Sequence, residues 1–159
     1  MIQRVQTVFL LAATILSIII VFNPISELSL SDGSSAVFTS FGLRNIEEPH
    51  TLYLSTFPIA VLAIASAIIS FITILLYQKR ILQMRLCVYN ILLTIGLVIS
   101  IFLYYFIIKN GVHVHEIYIK AHSFSFTIVF PFVNIILLFQ AFRSIRRDDL
   151  LIKSYDRLR

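Results

Sequence analysis

Four histidines, His50, His113, His115 and His122, offer the most obvious metal and proton chemistry in the chain. His113 and His115 are two residues apart, which on a strand puts both on one face. Glu116 follows them directly, and Glu47 and Glu48 precede His50. Imidazoles and carboxylates drawn from two segments can hold zinc or another borderline metal. The spacing lacks the His-x-x-x-His of a helical metal site, so these residues are expected to be ordinary polar strand residues, with no metal and no other cofactor. His122, Ser123 and Ser125 stand together, but no acid is placed beside them. There is no Gly-rich phosphate loop, no nucleophile elbow and no His-Glu-x-x-His. The expectation is a non-enzymatic protein.

A second set of polar groups lies inside apolar runs. Asn90 falls in the third run, Asn134 and Gln140 in the fourth, and no run interior holds an Asp, Glu, Lys or Arg. Ion-coupled carriers need such a group, or a broken helix, near the membrane midplane. Asn90 and Asn134 are therefore expected to make interhelical contacts, with a substrate path as the alternative. The third set is cationic: Lys79, Arg80 and Arg85 in the stretch YQKRILQMRLC from Tyr77 to Cys87, which separates two of the apolar runs.

The elements that must position these groups follow from composition. Of 159 residues, 58% are hydrophobic and only 13% charged, against about 25% charged in a soluble domain. A membrane span needs roughly 20 apolar residues, and four such runs fit, at about 5–22, 57–77, 86–108 and 124–142. The expected fold is an all-α membrane protein of one domain, 1–159. It is a four-transmembrane-helix bundle with outer loops 23–56 and 109–123, an inner tail 143–159 and both termini cytoplasmic. Ten of the 13 basic residues then lie inside with three acids, and Arg44, Lys109 and Lys120 lie outside with five. That asymmetry is the positive-inside pattern. It absorbs most of the +5 net charge, leaving no case for a nucleic-acid partner. Cys87 is the only cysteine, which excludes an intrachain disulfide; burial is expected for it.

Along the chain, the first run is expected to be a retained signal anchor, with Ala13 and Ser17 as a small-xxx-small approach. Leu28–Leu30 and Ala36–Phe41 flank an Asp32-Gly33 turn and predict a β-hairpin. Gly42, Asn45 and Pro49 are expected to mark the way back to the membrane. Ala60, Ala63, Ala67 and Ser70 make one face of the second run thin, and Gly96 is a candidate close-approach point. Val112–Ile119 alternates and predicts a third strand, completing a small extracytoplasmic hairpin or three-strand cap. Pro131 is placed near the middle of the fourth span, where it would kink the helix. Leu151, Tyr155 and Leu158 predict a short amphipathic helix in the tail.

Three stretches carry a family likeness: MIQRVQT at Met1–Thr7, RILQMRLC at Arg80–Cys87, and AFRSIRRDDLLIKSYDRLR at Ala141–Arg159. Their order and spacing resemble a bacterial family of four-span inner-membrane proteins of unknown role, the domain-of-unknown-function family numbered 4293. The resemblance covers essentially the whole chain. It implies a bacterial cytoplasmic membrane location and brings no activity or functional residue. All three stretches fall on the cytoplasmic side of the topology above. Arg4, Arg80, Gln83, Arg85, Arg146 and Arg147, with Gln3, Gln6, Asp148 and Asp156, are therefore expected to meet as one polar cluster, where spare guanidinium groups can hold a lipid phosphate. The alternative is that each arginine only anchors the chain to the inner surface. Anionic lipid headgroups on the cytoplasmic side, and a membrane-protein partner or a second copy of the chain, are the expected partners. The expected role is a scaffold or accessory subunit acting by association. A small transporter or channel subunit is the alternative, and a lipid-active membrane enzyme comes third.

Overall fold

The computed structural model describes residues 3–30, 35–46, 52–77, 79–109 and 119–157, and side chains over 6–29, 35–46, 54–77, 79–108 and 125–151. Four helices form an up-and-down bundle: α1 (Gln3–Phe22), α2 (Phe57–Leu75), α3 (Arg80–Lys109) and α4 (Phe130–Arg157). Each helix packs on its two neighbours in a square, α1 on α2 and α4, and α3 on α2 and α4. Five short strands, β1 (Ser26–Leu30), β2 (Ser35–Phe38), β3 (Gly42–Asn45), β4 (Leu52–Ser55) and β5 (Ile119–Phe124), form one sheet at the end where α1 and α3 finish and α2 and α4 begin. Their order is β4-β3-β2-β1-β5, and every pairing is antiparallel.

The chain is mostly helical, but the sheet is larger than the expected three-strand cap. β3 and β4 occupy residues expected to lead back to the membrane. GLRN and LYLS are only four residues each, and Gly and Asn are poor strand formers; pairing with β2, not local preference, makes them strands. The strand on the far side of β1 is Ile119–Phe124. Residues 112–118 of the expected third strand lie outside the described residues.

The sheet is fastened to the helices by named hydroxyls. Ile20 O lies in the last turn of α1, and its normal helical partner would be the N–H of residue 24. That residue is Pro24, which has none. Ser40 Oγ donates to this carbonyl instead, at 2.8 Å, and Ser40 is fully buried. Thr56 precedes α2, and its Oγ1 donates to Thr39 O at 2.8 Å. Leu28, Ala36, Phe38 and Leu43 from the sheet join Ile20, Ile59, Ala63, Leu97 and Ile101 from the helices in one apolar core.

Three helix boundaries differ from the expectation. α3 begins at Arg80, six residues before the expected start at Leu86, so the bend is only residues 76–79, closed by Lys79 N–H to Leu76 O at 3.0 Å. RILQMR consists of good helix formers, and its charge disguised this. α4 runs unbroken to Arg157, so the expected separate tail helix is its last turns. No Gly or Pro follows Pro131 to stop it. Pro131 is the second residue of α4, directly after a 3-10 turn at Phe126–Val129. It starts this helix and does not kink its middle, because its missing N–H falls where none is needed.

Outside the bundle core the helices are apolar in the wrong direction for water. Ile64, Ile68 and Phe71 of α2, and Leu92, Ile99, Phe102, Leu103 and Phe106 of α3, all face outward. Three segments, Phe57–Leu75, Arg80–Ile108 and Phe126–Leu151, are long and apolar enough to cross a membrane, and Gln6–Phe22 is a shorter apolar helix. Exposed apolar surface on this scale marks a membrane or a large protein contact. The inward face of α2 is thin: Ala60, Ala63, Ser66, Ala67 and Ser70 are buried. Gly96 is not a close-approach point, since a Cβ added there would meet nothing within 4 Å. α2, not α3, supplies the small residues.

Candidate functional site

At the end of the bundle away from the sheet, three helices and the α2–α3 bend enclose a cavity of about 360 Å³, open on one side. Its polar groups converge from segments far apart in sequence. Gln6 sits at the end of the first turn of α1, Arg80 and Gln83 in the first turn of α3, and Asp148 near the end of α4. Gln6, Gln83 and Asp148 are all buried, and Arg80 is half-buried. Gln6 Nε2 donates to Asp148 Oδ2. Arg80 Nη1 donates at 3.3 Å to the main-chain carbonyl of Asp148. Asp148 Oδ1 is buried with no partner among the described residues. A carboxylate oxygen removed from water normally finds a donor. The floor is Ile145, and the outer wall is Val8, Leu11 and Tyr77, all well exposed.

A second polar group lies in the middle of the bundle and touches all four helices. Asn134 Nδ2 on α4 donates to Ser17 Oγ on α1 at 3.0 Å. Ser17 Oγ lies 3.3 Å from Ser66 Oγ on α2, which lies 3.5 Å from Thr94 Oγ1 on α3. Thr94 Oγ1 donates back to Asn90 O at 2.8 Å, and Asn90 Nδ2 donates to Ser70 Oγ at 2.6 Å. Every member is at most 1% exposed. Hydroxyls that bond their own helix one turn back hide a polar group inside an apolar bundle, and Ser17 does this too, to Ala13 O at 3.0 Å. Asn90 Oδ1 and Asn134 Oδ1 have no partner among the described residues. Between this layer and the cavity stands an apolar plug of Leu10, Cys87, Leu138, Ala141 and Ile145.

The structure brings Gln6, Arg80, Gln83 and Asp148 together, but not the whole predicted cluster. Arg85 lies against Met84, Val88, Tyr89 and Phe142 in a separate depression. Arg146 and Arg147 share another with Arg143, Leu150 and Leu151 on the outer face of α4. Arg85, five residues after Arg80, and Arg146 and Arg147, two and one residues before Asp148, are turned away from the core at 100° per residue. Arg4 is in α1, but its side chain, like those of Gln3 and Asp156, lies outside the described residues. So do His50, His113 and His115; of His122 only the main chain in β5 is described. Among the described residues no three His, Cys, Asp or Glu side chains gather to hold a metal. Gln140 is exposed, and Cys87 is buried in the plug. Ser66 escaped sequence reasoning; its signal was the three-residue step from Ala63, on the same thin face.

A family model described as a domain of unknown function, DUF4293, matches residues 2–158. The chain belongs to that family. A search of curated proteins finds no match. The family places no role on any residue, so the cavity and the polar layer stand on their own geometry.

Proposed function

We propose that the protein is a non-enzymatic integral protein of a bacterial cytoplasmic membrane. It crosses four times with both termini inside and works by association, as a scaffold or accessory subunit of a membrane assembly or as a homo-oligomer. The observation that carries this reading is the bundle's polarity along its own axis. The sheet stands at one end, and Lys79, Arg80, Arg85, Arg143, Arg146 and Arg147 stand at the other. Basic residues flanking apolar helices stay on the cytoplasmic side, which puts the sheet outside. α1, with 20 residues, has a length of about 30 Å and is long enough to complete the fourth crossing.

At the inner surface Arg143, Arg146 and Arg147 face anionic headgroups, each contributing about 1 kcal/mol near the membrane. Outside, β4 and β5 end the sheet among the described residues. A strand edge offers main-chain donors and acceptors to a partner strand, and this is where an associating chain has most to gain. In-cell cross-linking followed by purification tests the reading. One dominant adduct, or a ladder of self-adducts, supports it; a chain that stays monomeric at every cross-linker dose rejects it.

A second reading, a small transporter or channel subunit, is favoured by the polar layer and its two unpartnered amide oxygens at Asn90 and Asn134. Solute flux in proteoliposomes, abolished by Asn134→Leu, would favour it over the first.

A further inference from the structure

The cavity at the basic end holds two opposite charges that do not satisfy each other. Arg80 spends one N–H on the main chain of Asp148. Among the described residues, the Asp148 carboxylate takes Gln6 on one oxygen and nothing on the other. Asp148 is only 8% exposed and lines the cavity. The site therefore sets an anion-seeking guanidinium beside a carboxylate whose unpartnered oxygen lies closed to solvent at the wall of the same half-open cavity. An anionic ligand would satisfy Arg80 and be repelled by Asp148; a simple cation would do the reverse. A zwitterion satisfies both.

The walls say what kind of zwitterion. Val8 and Leu11, on the outer wall, begin a stripe of exposed apolar residues that continues through Ile15, Ile18 and Phe22. Steps of three and four residues keep the stripe on one face of α1. At 1.5 Å per residue it runs about 21 Å, the scale of a lipid acyl chain, and it leads from the cavity toward the sheet end. A polar pocket with one positive and one negative group, opening onto an apolar track, has the shape of an amphiphile's binding site.

We propose that this cavity binds the headgroup of a phospholipid carrying a primary ammonium, an ethanolamine phospholipid, with phosphate on Arg80 and ammonium on the Asp148 carboxylate, whose buried Oδ1 a small turn of the side chain brings into the cavity. The proposal rests on the membrane reading above. A primary ammonium has three N–H donors for a carboxylate oxygen; a trimethylated one has none. The cavity therefore discriminates by donors and not by charge alone.

The test is native mass spectrometry of the full chain in detergent, with lipids of identical acyl chains. Ethanolamine phospholipid is expected to be retained at least about tenfold more tightly than the choline lipid, the worth of one charge-assisted hydrogen bond, with mono- and dimethyl headgroups between. The wild-type chain alone suffices for this series, so no variant has to fold. Asp148→Asn is expected to flatten the series while keeping phosphate binding, and Arg80→Gln to weaken all members alike. Equal retention of the ethanolamine and choline lipids overturns the proposal, as does tighter retention of an anionic phosphatidylglycerol. Equally tight binding of acyl-free glycerophosphoethanolamine overturns the lipid part. Each of these failures leaves the membrane topology untouched, which reporter fusions measure separately.

Discussion

Replacing Ser17 by alanine tests whether the polar layer holds the bundle together. Ser17 Oγ is the acceptor for Asn134 Nδ2 at 3.0 Å, and Asn134 Oδ1 already lacks a partner. Ser17→Ala therefore leaves a fully buried carboxamide with neither end bonded. In a water-soluble core that costs about 1–3 kcal/mol. Between membrane helices measured pairs average about 0.6 kcal/mol, with a maximum near 1.7. The lack of any other partner for Asn134 puts this site toward the upper end, at about 1–2 kcal/mol, or roughly 5- to 30-fold in the folded-to-unfolded ratio. The assay is reversible unfolding in bicelles with added dodecyl sulfate, followed by circular dichroism. A double-mutant cycle with Asn134→Leu supplies the sign. Removing the amide as well leaves nothing unpaired, so the double variant is expected to be more stable than Ser17→Ala alone. If Ser17→Ala stays within about 0.3 kcal/mol of wild type, or if the two changes simply add, the layer does not couple the helices as described.

Other variants probe single contacts. Ala63→Leu pushes a large side chain into the fully buried thin face of α2 and is expected to cost about 1–3 kcal/mol in the same unfolding assay; an unchanged midpoint would mean that α2 does not pack there. Gly96→Ala enters open space and is expected to be neutral or to add up to about 1 kcal/mol through helix propensity, whereas destabilisation would place a neighbour against α3 at that point. Ser40→Ala strips the hydroxyl that serves the Ile20 carbonyl. It is expected to lower stability by about 1–2 kcal/mol and to speed amide exchange in β2 and β3 relative to the bundle; uniform exchange would show that the sheet is held by something else.

The apolar elements were legible because length and hydropathy decide them locally. The runs ending at Phe22 and starting at Phe57 match their helices closely. Boundaries failed where charge and helix propensity disagree. Arg80–Arg85 looks like a polar bend, yet its residues favour helix, and packing of Gln83 and Cys87 into the core extends α3 over them. Pro131 starts α4 and does not interrupt it, a boundary hidden because the 3-10 turn Phe126–Val129 ahead of it has no periodic signature. β3 and β4 are too short to declare themselves without β2 beside them. Within the cavity, Gln6 and Asp148 belonged to stretches already suspected of meeting. Which arginines join them depends on the rotation of α3 and α4. The burial of Asp148 is a consequence of a contact 142 residues away in sequence, which no local pattern encodes.

The arrangement of charge at one end and sheet at the other is tested most directly by thiol labelling in intact cells. Cys87 is buried, and Cys87→Ala gives a thiol-free background. Into it, Glu27→Cys places a thiol on exposed β1 and Arg147→Cys places one on the exposed outer face of α4. A membrane-impermeant maleimide is expected to label the first in intact cells and the second only after permeabilisation. Labelling of Arg147→Cys from outside, with Glu27→Cys protected, would contradict the account.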